Sequence, residues 1–306
     1  MKLFIIGNGF DLAHGLPTKY WNFRMYLENL YPDFLYSFEQ HYYIYPSDSV
    51  EMKCDLLWNN FETNLANIDE DIIIEDAVNI DMGLEGGDYD IVDTLREYFR
   101  DEYKYIELLS KYLKQWIRTI KIKDVLPLTS KIKYNSKDFF INFNYTSVLE
   151  NVYHINPMQI LHIHGSLHKY TEEPIIGHGN IQRIENIKAK KERAECDYNE
   201  KEMSICTVIK EYYECTYKDV NKYMYKLYLL DSKNIDEIVV VGHSVSGIDL
   251  PYLRYIDTLT KQNLNWMVYY FTSKERDKIE KALIEIGINK ERFTLTHCDD
   301  FYDLRG

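Results

Sequence analysis

Lys2-Leu3-Phe4-Ile5-Ile6-Gly7-Asn8-Gly9-Phe10-Asp11 opens the chain with an unbroken apolar run that two glycines stop. A run without alternation has no solvent face, so it predicts a short strand covered on both sides, as in a parallel sheet. Beyond Gly15-Leu16-Pro17, Thr18 is positioned to N-cap a helix carrying Tyr20, Phe23, Leu27 and Leu30. The same grammar returns in the second half. Asp138–Phe143, Gln159–His164, Glu237–Val241, Asn265–Phe271 and Arg292–Thr296 read as strands. Helical stretches at Thr146–Val152, Leu250–Gln262 and Ser273–Glu285 alternate with them. This alternation predicts an α/β fold with a parallel Rossmann-like sheet and helices on both faces.

Between these elements the pattern changes. Residues 40–50 read as a loop, and Leu56, Leu57, Phe61 and Leu65 follow at helical spacing. Asp81–Asp90 holds three glycines and reads as a loop, after which one apolar stripe runs from Ile91 to Ile120. Residues 50–125 are therefore expected to form a helical insertion or cap. Residues 171–204 are markedly polar and read as an exposed excursion or mobile helix, and a Tyr-rich amphipathic helix is expected from about Thr207 to Leu230. Residues 171–232 thus form a polar excursion plus that helix, and the whole of 1–306 one domain.

Composition narrows the class. The 306 residues carry 36 Lys+Arg against 49 Asp+Glu, a net charge of −13, so duplex nucleic acid is not the expected partner. Apolar runs such as Ile238–Val241 are far short of the ~20 residues that span a bilayer. The start reads as a strand rather than a signal peptide, and the five cysteines form no C-x-x-C pair. A cytoplasmic protein is expected, with no membrane contact. The 28 tyrosines fit half-buried helix surfaces better than base stacking, because no cationic groove accompanies them.

Four strand ends carry polar groups. Gly7-Asn8-Gly9 with Asp11 follows the first strand, where glycines admit close backbone approach of a phosphate or ribose. A tight turn alone explains them equally well, and the third glycine of G-x-G-x-x-G is missing. Asn142 and Asn144 end the second strand on one side of it, unless they simply cap a turn. His162-Ile163-His164-Gly165 ends the third, a spacing that suits a metal pair or one catalytic histidine beside a structural one. Gly242-His243-Ser244, with Asp249-Leu250-Pro251 beyond, ends the fourth and does not match G-x-S-x-G. Convergence of four such tips suggests a nucleotide pocket at a topological switch point.

The opening Gly7-Asn8-Gly9-Phe10-Asp11-Leu12-Ala13-His14-Gly15-Leu16-Pro17-Thr18 resembles the start of AbiH-type phage abortive-infection proteins. Phe143-Asn144-Tyr145-Thr146, His162-Ile163-His164-Gly165, Gly242-His243-Ser244 and Asp249-Leu250-Pro251-Tyr252 look like that family's other shared segments. The resemblance implies a defence role in which an infected cell stops growing or dies before phage is released. A more distant similarity, through Asn144-Tyr145-Thr146-Ser147-Val148-Leu149-Glu150 and His164-Gly165, is to sirtuin-like NAD-binding domains. It implies NAD as substrate rather than bound cofactor, with Asn144 and His164 as catalytic residues at the nicotinamide ribose. It also implies cofactor-type contacts from Gly7, Asn8, Gly9, Asp11, Thr18, Gly242, His243, Ser244 and Asp249. Thr146 stands where those domains carry aspartate, and the four-cysteine zinc module of deacetylases is absent, which favours a glycohydrolase over a deacylase. The rival readings are a non-catalytic nucleotide sensor and a metal-dependent hydrolase or nuclease built on His162, His164 and His178. A toxic activity further implies a phage-derived trigger and a homo-oligomer.

Overall fold

The computed structural model describes residues 1–70, 107–167, 171–260 and 263–304. Six strands form one all-parallel sheet: β1 (Lys2–Ile6), β2 (Phe139–Asn142), β3 (Ile160–His162), β4 (Glu237–Val241), β5 (Asn265–Tyr270) and β6 (Phe293–His297). Their order across the sheet is β3-β2-β1-β4-β5-β6, that of a doubly wound, Rossmann-like fold with its switch point between β1 and β4. The apolar runs become strands because each is buried from both sides. In β1, Leu3, Ile5 and Ile6 are fully inaccessible and Phe4 nearly so. Burial of each such side chain is worth about 1.5–3 kcal/mol.

Alternation along the strands divides the core into two layers. Leu3, Ile5, Ile141, Phe143, Ile238, Val240 and Val268 share one with Tyr252, Leu253 and Ile279. Phe4, Ile6, Phe140, Val239 and Val241 share the other with Phe10, Leu149 and Phe301. The Ser273–Glu285 helix forms where its local signals predict: Thr272 accepts from Glu275 N at 3.2 Å, and Phe271 N donates to the Glu275 carboxylate at 2.8 Å. The Leu250–Leu259 helix has its proline in the first turn.

Two compact units emerge: residues 1–22, 114–175 and 219–306 hold the sheet, and residues 23–113 and 176–218 form a helical unit. In the helical unit, Phe23, Phe38, Trp58 and Phe61 make edge and stacked ring contacts. Arg24 and Glu39 form a buried ion pair, and Trp58 Nε1 donates to the same carboxylate at 2.7 Å. Two helices, Ile181–Cys196 and Glu200–Thr216, pack against each other as a hairpin. Tyr212 and Tyr213 are fully buried with their hydroxyls bonded to Leu65 O and Glu70. Tyrosine here supplies core area with a hydrogen-bonding tip.

Several expectations need correction. Thr18 does not cap a helix: the helix begins at Tyr20, and Asn22 Oδ1 instead accepts from Lys19 N at 3.2 Å. The helical spacing from Leu56 to Leu65 is interrupted at Leu57, whose backbone (φ −133°, ψ −56°) leaves the helix before Trp58–Asn60 and Phe61–Asn64. The polar 171–204 stretch contains the regular Ile181–Cys196 helix, which buries Ile184, Ile187 and Ala194. The Tyr-rich stretch is not one helix: the Glu200–Thr216 helix stops where Tyr217 turns extended (φ −79°, ψ 124°) and His178 bridges to it, and the short turns Asn221–Met224 and Tyr225–Leu230 follow. The helix of the Ile91–Ile120 stripe is described over 107–119, its earlier part and the Asp81–Asp90 loop lying outside the described residues.

Candidate functional site

Ile6, Asn142 and His162 are register partners at the carboxyl ends of β1, β2 and β3, so Asn142 and His162 leave the sheet on the same face. Asn142 Oδ1 accepts from Asn144 N at 3.1 Å, a local turn that swings Asn144 toward β1. The Asn144 amide then donates to Asp11 Oδ1 at 2.9 Å and to Gly7 O at 3.1 Å. Thr146 Oγ1 donates to the other Asp11 oxygen at 2.5 Å. Asp11 is 1% exposed. Burial pushes its carboxyl up from 3.8 to about 7, against the lowering pull of the Thr146 and Asn144 hydrogen bonds and of His162. His162 closes the cluster: Nδ1 donates to Asn144 O at 3.2 Å and Nε2 meets Glu150 Oε1 at 2.7 Å.

A second cluster lies toward the opposite core layer. The Asp249 carboxylate stands between two histidines, 3.3 Å from His164 Nε2 and 3.4 Å from His243 Nε2. His243 Nδ1 accepts from Val245 N at 3.0 Å, so the proton of a neutral ring sits on Nε2 and points at Asp249. Val245 adopts φ 49°, a conformation that β-branched residues avoid, while its side chain is fully buried. The strain is maintained by that burial and fixes the His243 loop. Phe143 stands edge-on to both imidazoles, with ring centroids 5.2 Å from His164 and 4.5 Å from His243. Tyr252 packs against His164 at 5.7 Å. The two histidines are buried, and the 21% exposure of the Asp249 side chain makes it the member that solvent reaches.

The glycines serve the contact between the β1 and β4 loops. Gly9 N donates to Gly242 O at 2.7 Å, and a Cβ on Gly7 would meet Gly242 O and His243 Cα at 2.6 Å. Gly242 itself has φ 64°. Asn8 donates to Thr18 O at 3.0 Å, whereas Thr18 Oγ1 is buried without a hydrogen-bond partner among the described residues. Ser244 is exposed and accepts from Ser246.

The candidate residues thus fall into two groups: Asp11 with Asn144, and His164 with His243 and Asp249. Sequence reasoning overlooked Glu150, Phe143 and the Thr146 hydroxyl. Glu150 had a signal, being the acid that ends Asn144-Tyr145-Thr146-Ser147-Val148-Leu149-Glu150. His162 and His164 do not converge on a metal, since they face different carboxylates. His178 belongs to the helical unit, where Nδ1 accepts from Asn180 N at 3.1 Å. Among the described residues, three donor atoms approach one another closely enough for a cation only at His297, Cys298 and Asp299. Both His297 nitrogens there are bonded to backbone, from Asp299 N and to Phe271 O. No described helix is long and apolar enough to cross a membrane.

Neither the curated proteins nor the solved structures compared with the chain include a match. The family model described as "Bacteriophage abortive infection AbiH" matches residues 3–270, a span that runs from the second residue of β1 to the end of β5 and contains both polar clusters. The chain accordingly belongs to the AbiH family of phage abortive-infection proteins.

Proposed function

We propose that this abortive-infection protein acts by hydrolysing the nicotinamide–ribose bond of NAD, releasing nicotinamide and ADP-ribose. The observation that carries the reading is the carboxylate-paired His164 at a strand tip of a sheet ordered β3-β2-β1-β4-β5-β6. In open parallel sheets, dinucleotides bind beyond the carboxyl ends of the strands, around the switch point. Cleavage leaves an oxocarbenium-like ribosyl centre that a water must reach. His164 would take the proton of that water, with Asp249 holding the imidazole in position, for a contribution of roughly 10²–10⁴ in rate. Asn144 has both N–H donors engaged by Asp11 and Gly7, so it would orient the water through its carbonyl oxygen. Gly7, Asn8 and Gly9 on the β1 loop, with Gly242 and Ser244 beyond β4, would meet the phosphates and the adenosine half.

Burial of His164 means that the loops must open before substrate enters, which suits an activity restrained until a phage-derived signal or self-assembly releases it. The engaged Asn144 amide also favours a second reading, a nucleotide sensor that binds without turnover. Purified protein incubated with NAD, with free nicotinamide followed by chromatography, separates the two. Release that disappears in His164→Ala supports hydrolysis. Binding without release supports the sensor, and no binding rejects both.

A further inference from the structure

On the core layer opposite to His164, the loop after β2 borders a cavity of about 670 Å³. Tyr145, Thr146, Ser147 and Asn151 give it one polar wall. Ile117, Ile120, Ile122 and Leu167 give it an apolar one, and Ile120 and Ile122 continue into the layer that holds Phe4 and Ile6. Arg118 and Lys123 stand on its lining, both exposed and neither in an ion pair among the described residues. In a chain of net charge −13, two cations on one cavity lining concentrate positive charge there, even with Arg118 within electrostatic reach of the Glu173 carboxylate.

We infer that this cavity is a binding site for a nucleoside 5′-phosphate. Its volume lies within the range of small-molecule sites, roughly 300–1,000 Å³, and exceeds what a free phosphate needs. The apolar wall and the Tyr145 ring suit the faces of a base, while Ser147 and Asn151, joined amide to hydroxyl at 2.7 Å, keep the Ser147 O–H and the Asn151 carbonyl oxygen for base edges or ribose hydroxyls. Arg118 and Lys123 supply charge-assisted hydrogen bonds to the phosphate. The site communicates with the first cluster, because Thr146 lines the cavity while its hydroxyl bonds Asp11, which in turn holds Asn144. An occupant therefore touches the loop that positions Asn144. The inference is independent of hydrolysis, since occupancy is read without turnover.

Calorimetric titration of the purified full chain with AMP tests it, beside adenosine and inorganic phosphate as separate probes. AMP is expected to bind at least tenfold more tightly than either, and the Arg118→Ala/Lys123→Ala double variant is expected to lose at least tenfold. Both side chains are exposed, so the variant keeps its fold, which its melting curve checks. A repeat in saturating NAD identifies the source of the nucleotide. Competition marks the cavity as holding one half of the dinucleotide; undiminished binding marks a separate effector site. No AMP binding at millimolar concentration, equal binding by the double variant, or phosphate binding as tight as AMP would each overturn the assignment.

Discussion

Asn144 and Asp11 lie 133 residues apart and are joined at 2.9 Å inside the protein, amide to carboxylate. With Thr146 on the second oxygen, this contact ties the end of β2 to the first loop after β1. The loop bearing the candidate Asn144 is consequently only as rigid as Asp11 makes it. A buried carboxyl satisfied by two neutral donors, rather than by a directly bonded cation, is a costly arrangement that its protonation state controls.

Stability should therefore depend on pH through Asp11. Its folded pKa is raised from 3.8 to about 7, so the native state holds a proton there that the unfolded chain gives up. The contribution is complete below about pH 4 and is lost as pH rises toward 7, at ~1.4 kcal/mol per unit of difference. Asp11→Asn keeps a group that can accept from Asn144 but cannot ionise. Thermal melts at pH 5 and pH 7.5 should show a smaller difference for this variant than for the wild type. Equal differences would mean that Asp11 titrates normally.

The loop contact at Gly242 leads to a different expectation. A Cβ there would collide with the backbone of Gly9 and Phe10, and φ 64° already disfavours any other residue. Gly242→Ala is expected to cost several kcal/mol or to prevent folding, because the obstruction is main chain and cannot turn aside. Gly15 is the control: its φ is 76°, with nothing within 4 Å of a built Cβ. Gly15→Ala should cost only the left-handed strain, about 1–2 kcal/mol. Urea denaturation of the two variants measures the contrast, and similar losses would refute it.

The difference between these glycines was not legible in the sequence, where both simply punctuate a turn. What could be read was whatever short-range pattern decides. Lys2–Ile6, Glu237–Val241 and Ser273–Glu285 form with the expected boundaries because unbroken apolar runs and a Thr-x-x-Glu cap are local signals. The Thr207–Leu230 reading failed at Tyr217 because the tyrosine periodicity continues across a turn that the His178 bridge imposes. At the site, the residue types were visible but not their partners. Nothing near His164 announces Asp249, and Thr146 read as a departure from an aspartate until its hydroxyl was found on Asp11. Pairings between residues a hundred positions apart are made by sheet topology, which periodicity does not encode.

In the helical unit, Arg24 and Glu39 are each 4% exposed and bonded through two donors, at 2.7 and 3.0 Å. Glu39→Ala would take the carboxylate away from two donors of the buried guanidinium, and would also strip the acceptor from Trp58 Nε1. A loss of about 3–5 kcal/mol is expected. The paired replacement Arg24→Met/Glu39→Met removes both charges and should recover most of it. Chemical denaturation of the single and double variants decides the matter; a double variant worse than Glu39→Ala would show that packing, not charge, dominates there.

Asp249 is the residue whose role most sharply divides positioning from binding. If it serves the His164 imidazole, Asp249→Asn should lower kcat for nicotinamide release by about 10–10³-fold while KM stays within a factor of a few. The variant retains shape and hydrogen-bonding capacity, so the fold should survive. If Asp249 instead contacts the adenosine half, KM should rise and kcat should hold. His243 refines the test, because it competes for the same carboxylate from 3.4 Å. His243→Asn would remove one of the two imidazoles that face the Asp249 carboxylate. It is expected to shift the pH–rate profile of nicotinamide release toward higher pH, since the Asp249 charge is then no longer shared with a second imidazole and favours the protonated form of His164 more strongly. A profile unchanged by His243→Asn, together with a pure KM effect from Asp249→Asn, would remove Asp249 from the proton-transfer machinery and leave it as a ligand contact.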